Sequence, residues 1–154
     1  MGSEMCIRDR TTVAKKRREE TGTPCAAIEL ADGTMITSKS SELLGPSAAL
    51  LLNATKYLAG IDHNVKLIPQ EMIEPIQKTK VEYLGGNNPR LHTDEVLVAL
   101  SVLSQADDNC RKALEQLPAL RGCQVHSTVM LSEVDHKIFK KLGVGLTCDP
   151  VKKK

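Results

Sequence analysis

The sequence predicts an α/β layered domain. Strand-like runs near both ends of the chain are separated by segments whose apolar residues recur at helical spacing. Turn and cap residues stand where one pattern gives way to the next. The chain has 154 residues, 41% apolar and 26% charged, values of a globular chain with room for one ordinary domain.

The elements follow in order. Residues 25–30 form a strand, Asp32-Gly33 a tight turn, and residues 34–38 a second strand by their alternation. Residues 43–61 form a helix that is apolar on nearly all sides and therefore largely buried. Residues 65–68 are a short apolar run read as a strand. Residues 69–84 are helical in pattern, with Pro75 either opening the main part or kinking it. Gly85 to Pro89 compose a loop. Thr93 then caps a helix reaching about Ala106, with Asp94 and Glu95 in its positive first turn. Residues 109–117 form a helix stopped by Pro118, and residues 123–130 a strand. Ser132 caps a helix that Gly143 ends, and residues 144–148 are the last strand. No internal repeat is found.

Domain organisation follows from composition. Residues 1–10 include Met-Cys-Ile-Arg-Asp-Arg, which resembles a translated adapter, and are set apart as a non-native leader. Residues 11–22 are charged with almost no apolar face and read as the remnant of an upstream helix. Residues 23–150 make the C-terminal α/β domain, and residues 151–154 a basic tail.

Several functions are excluded. Aromatic residues are 2% of the chain, with no Trp, so base-stacking nucleic-acid surfaces and aromatic cages have no material. The net charge of +2 is made by the ends. Nine of the 21 basic residues lie at positions 8–18 and 152–154, leaving 12 basic and 17 acidic residues in positions 19–151. Such a body is a poor binder of a phosphate backbone. No apolar run approaches the roughly 20 residues of a membrane span. Five cysteines without a C-x-x-C pair, and no apolar secretory segment, point to free thiols in a reducing cytoplasm.

Three clusters carry candidate chemistry. Lys39, Ser40 and Ser41 precede the buried helix, and Gly45-Pro46-Ser47 lies near its start. Unpaired N–H groups and positive potential at a helix start attract an anion, here with a lysine and hydroxyls beside it. The alternative is that Ser41 or Ser47 simply caps the helix. Gly33 to Ser40 also matches the phosphate-loop pattern G-x-x-x-x-G-K-[ST], except that Ser38 replaces the second glycine and the intervening residues read as strand. The second cluster is Arg90, His92, Thr93, Asp94 and Glu95, where Arg90 offers a bidentate fork and His92 an acid/base. The alternative is an ordinary helix start. The third is His126 with Ser127, Thr128 and Ser132, at the end of a strand where α/β sheets gather ligands. His126 is the preferred acid/base, with strand alternation around a satisfied histidine as the alternative.

The runs Glu29-Leu-Ala-Asp-Gly-Thr-Met-Ile-Thr-Ser-Lys-Ser-Ser and Leu43-Leu-Gly-Pro-Ser-Ala-Ala-Leu-Leu-Leu-Asn53 resemble those of a bacterial family, domain-of-unknown-function family 1846. So do Asn88-Pro-Arg-Leu-His-Thr-Asp-Glu95, Gly122-Cys-Gln-Val-His-Ser-Thr128 and Lys141-Leu-Gly-Val-Gly-Leu-Thr147. The resemblance covers residues 21–150. It implies the C-terminal portion of a protein several times longer, and a layered α/β/α sandwich with a mixed sheet of about four to five strands in a deaminase-like layer topology. Members have carried a zinc-protease label. His63, His92, His126 and His136 form no H-E-x-x-H, and the deaminase pair H-x-E and P-C-x-x-C is missing too, so no metal residue is assigned.

The functional expectation is a domain that helps form a site for an anionic small molecule, a nucleotide or a phosphometabolite. Its ligand-binding residues are Lys39, Ser40, Ser41, Ser47, Arg90, Thr93 and Thr128, and its acid/base residues His126 and His92. The expected partners are the rest of its own chain and a homo-oligomer, with neither nucleic acid nor membrane. The alternative is a structural or oligomerisation module, for which the leucine-rich helix 43–61 is the candidate surface.

Overall fold

The computed structural model describes residues 3–151, with side chains from residue 10 onward. Helix α1 (Ser3–Thr21) leads into a hairpin of β1 (Cys25–Glu29) and β2 (Met35–Lys39). Helices α2 (Pro46–Leu58) and α3 (Gln70–Lys78) follow, the latter continued by a π-helical turn (Thr79–Tyr83). Then come α4 (Thr93–Leu103), α5 (Asp108–Leu114), a 3₁₀ turn (Leu117–Leu120), β3 (Gln124–Ser127), α6 (Glu133–Leu142) and β4 (Gly145–Cys148).

The four strands form one mixed sheet in the order β2-β1-β3-β4. Strand β1 is antiparallel to both its neighbours, and β3 is parallel to β4. Strands β2, β3 and β4 therefore run the same way and end at the same edge of the sheet. The hairpin turn is set locally: Asp32 accepts the N–H of Thr34 at 2.9 Å, and Gly33 sits at φ +87, a conformation costly for any residue with a Cβ.

Register decides the faces. Ile28 lies opposite Ile36 and Val125, and this row packs under α2 and α6 with Leu50, Leu51, Ala54 and Phe139. Ala27 lies opposite Thr37 and His126 on the other face, which α1 covers. Helix α1 is tied there by Arg10, only 2% exposed, whose Nη1 donates to Glu29 Oε1 at 2.9 Å. The helix runs unbroken through residue 10 and stops at Gly22, whose φ of +70 lets its N–H reach Arg18 O.

Helix α2 is apolar all round because it serves two cores. Its Leu50, Leu51 and Ala54 face the sheet, while Ala48 and Leu52 face a second cluster with Ile73, Leu91, Val96 and Leu100 from α3, α4 and the loop between them. Each fully buried leucine contributes about 1.5–3 kcal/mol of transfer free energy. Most of α2 is therefore internal, with Tyr57, at 47%, its strongly exposed residue.

Three local expectations are corrected. Residues 65–68 form no strand; Leu67 and Ile68 are buried from a loop, and a short apolar run cannot distinguish those two fates. The strand expected over 123–130 is confined to β3, because Ser127 Oγ accepts the N–H of Val129 and donates to its carbonyl, turning the chain. Thr93 is not a cap. His92 holds the cap position with extended backbone, and Thr93 is the first helical residue with its side chain turned inward. Ser132 and Gly143 cap α6 as expected, Gly143 at φ +79.

Candidate functional site

The edge where β2, β3 and β4 end carries a cleft of about 540 Å³. Arg18, Ser40, Ser41 and Arg90 line it, with Thr23 and Glu42 beside them. Four segments distant in sequence build this wall. Ser40 follows β2 directly, and its N–H is held by Pro24 O at 2.8 Å, next to the start of β1. Ser41 Oγ accepts the N–H groups of Leu43 and Leu44, both at 3.2 Å, forming the turn that leads into α2. A parallel bridge between Leu44 and Leu91 lays residues 90–92 alongside this turn. It brings Arg90 over Ser41, where Arg90 Nε donates to Ser41 O and Asn88 Oδ1 accepts the Arg90 N–H.

Arg18 comes from α1. Its Nη1 donates to Thr128 Oγ1 at 3.3 Å and to Thr128 O at 3.4 Å. Thr128 Oγ1 also accepts the N–H of Cys25 at 2.9 Å, so this buried threonine fixes both the start of β1 and the Arg18 head. Two groups on the cleft wall are left over. Ser40 is only 7% exposed, yet its hydroxyl makes no hydrogen bond among the described residues. The Arg90 Nη atoms likewise bond to no described residue, and among the described residues no carboxylate forms an ion pair with Arg90 or Arg18.

Of the residues expected to bind ligand, Ser40, Ser41 and Arg90 are thus brought together, with Thr128 buttressing the wall through Arg18. Lys39 is exposed at the end of β2 and does not line the cleft. Ser47 and Thr93 are engaged elsewhere. Ser47 Oγ donates to Asp135 Oδ2 at 2.8 Å, and Thr93 donates its N–H and hydroxyl to Asp135 Oδ1 at 3.0 and 2.7 Å. All three residues are almost wholly buried. The N-termini of α2, α4 and α6 converge on this carboxylate, so an internal anion fills the role that helix starts offer to a ligand.

The two histidines stand apart from the cleft wall. His92 caps α4 beside Glu95, whose Oε1 accepts the His92 N–H and the Lys80 ammonium, both at 2.8 Å. Partial burial pushes the Glu95 carboxyl up, but bonds from His92 and Lys80 outweigh it and hold the pKa at about 2. His126 is 5% exposed on the α1 face of the sheet. Its Nδ1 is 2.7 Å from Thr147 Oγ1 and its Nε2 is 3.1 Å from Asp149 Oδ1, which forms a hydroxyl–imidazole–carboxylate chain along β3 and β4. Residues 33–40, compared above with a phosphate loop, contain β2, and an extended strand does not converge its N–H groups on one point. Burial raises the thiols of Cys110, Cys123 and Cys148 above their usual range, so none is poised as a thiolate.

Sequence reasoning missed Arg18, because residues 11–22 were set aside as a remnant, and Asp135, which no motif singled out. Arg18 had a readable signal in its setting: a basic helix end just upstream of a strand that opens the domain. Asp135 had none.

The comparisons with known proteins agree with the resemblance. The family profile described as "Domain of unknown function DUF1846, C-terminal" matches residues 7–154. A UPF0371 protein of Corynebacterium efficiens is 57% identical over 146 residues, which is 94% of this chain and 30% of the relative. A UPF0371 protein of Streptococcus uberis is 45% identical over 141 residues, covering 92% of this chain and 28% of the relative. The chain therefore spans less than a third of the length of these relatives. Together with the layered fold and the retained motifs, these matches place the chain in the DUF1846 family, as its C-terminal domain.

Proposed function

We propose that this domain supplies one wall of a binding site for a phosphorylated small molecule, centred on Arg90, Arg18, Ser40 and Ser41. The observation that carries the reading is that the Ser40 hydroxyl and the Arg90 Nη atoms, none bonded to a described residue, stand on the same cleft. The Ser40 hydroxyl opens on the cleft with no bond to a described residue, so it is available to a ligand oxygen. A guanidinium held at Nε still presents its outer edge to a phosphate. The cleft lies beyond the carboxyl ends of three parallel-running strands, where sheets of this class gather ligands. No aromatic ring lines it, so recognition rests on the phosphoryl group rather than on a stacked base.

Isothermal titration of the chain with inorganic phosphate, pyrophosphate and ATP tests the proposal. Saturable binding that Arg90→Ala weakens at least tenfold supports it. Binding that Arg90→Ala and Arg18→Ala leave unchanged refutes it.

A further inference from the structure

The outer faces of α3 and α4 carry an apolar groove at the edge of the second core, against which its Ile76 and Ala99 partly pack. Helix α4 turns Val96 and Leu100 inward to the second core, both essentially buried. It also presents Val98 and Val102, one turn apart, at 65% and 61% exposure. Across from them α3 contributes Met72, 42% exposed, and Ile76. With Ala99 these side chains enclose a groove of about 380 Å³ that is almost wholly apolar. Asp94 closes one end; it makes no ion pair among the described residues, whereas its neighbour Glu95 is taken by Lys80 and His92. A paired row of exposed valines and a methionine facing water is unfavourable, and such rows mark contact surfaces.

We infer that this groove seats an amphipathic helix from the part of the full-length protein that lies outside the matched region. In the relatives that part is more than two-thirds of the length, since the matched region is 28–30% of it, so their polypeptide is long enough to supply a cover. Spacing favours a helix: Met72 and Ile76 on one wall, and Val98 and Val102 on the other, stand four residues apart and accept apolar knobs at the same interval. The free Asp94 selects a helix with Lys or Arg at the corresponding end.

The test uses a chimera in which this domain replaces the matched region of the Corynebacterium efficiens relative, 57% identical to it. A photo-crosslinking benzoylphenylalanine is placed at position 98. The expected result is an intramolecular crosslink, migrating as one chain, to a peptide outside the domain that carries an apolar stripe and a basic residue. A crosslink to a second copy, or equal thiol-labelling rates for Val98→Cys in the chimera and in the 154-residue chain, overturns the inference. Val98→Asp provides a second arm. It leaves the melting temperature of the 154-residue chain within about 2 °C, because the site is exposed, and lowers that of the chimera measurably. An unchanged chimera also overturns the inference.

Discussion

Asp135 Oδ1 accepts both the N–H and the hydroxyl of Thr93, at 3.0 and 2.7 Å, with both residues fully buried. The other carboxylate oxygen takes the Ser47 hydroxyl. One side chain of α6 therefore fixes the starts of α2 and α4, and those starts position Ser41 and Arg90 for the cleft. Asp135→Ala leaves three buried donors without an acceptor and is expected to cost about 3–5 kcal/mol. Asp135→Asn keeps one acceptor oxygen and is expected to cost about 1–2 kcal/mol. Urea unfolding of the two variants checks the order. Equal losses contradict the role of the carboxylate as a shared acceptor.

Glu95 makes stability depend on acid. Its pKa of about 2 in the fold lies below the ordinary 4.5, so its contribution is complete above the ordinary value. That contribution is lost as the pH falls from about 4.5 through about 2. Glu95→Gln is expected to destabilise by about 1 kcal/mol at pH 7. The gap to the parent chain then closes as the pH approaches 2. Denaturant midpoints at pH 7, 4 and 3 measure this, and a gap independent of pH contradicts it.

His126 is bonded at both ring nitrogens and lies outside the cleft wall. His126→Ala removes a nearly buried ring with two partners and is expected to cost about 2–4 kcal/mol. Thr147→Val, at an exposed partner, is expected to cost less than about 1 kcal/mol. Calorimetric melting gives both numbers. Neither substitution should alter phosphate affinity more than twofold while the fold persists, and a larger change would place His126 in the binding chemistry.

The fold was legible where a local rule decided the outcome. The Asp32-Gly33 turn, the Ser132 cap and the Gly143 stop each depend on chemistry within three residues, and each stands where the pattern puts it. Residues 65–68 failed because apolar composition says that Leu67 and Ile68 are buried but not in what conformation. Thr93 failed for a different reason. A threonine before two acids reads as a cap, yet its partner is Asp135, 42 residues away. Site residues on one turn, Ser40 and Ser41, could be grouped from the sequence. Their joining to Arg90 depends on the Leu44–Leu91 bridge, and their joining to Arg18 on the packing of α1, neither of which has a local signal.

Ser40, Ser41, Arg90 and Arg18 are proposed to face one phosphoryl group. The most direct measurement is a titration of the ¹⁵N-labelled chain with inorganic phosphate, followed through backbone amide shifts. Saturable shifts are expected at residues 40–42, 89–91 and 18–24, lost in Arg90→Ala while the rest of the spectrum is retained. Shifts absent from these segments, or unchanged in Arg90→Ala, would contradict the proposal.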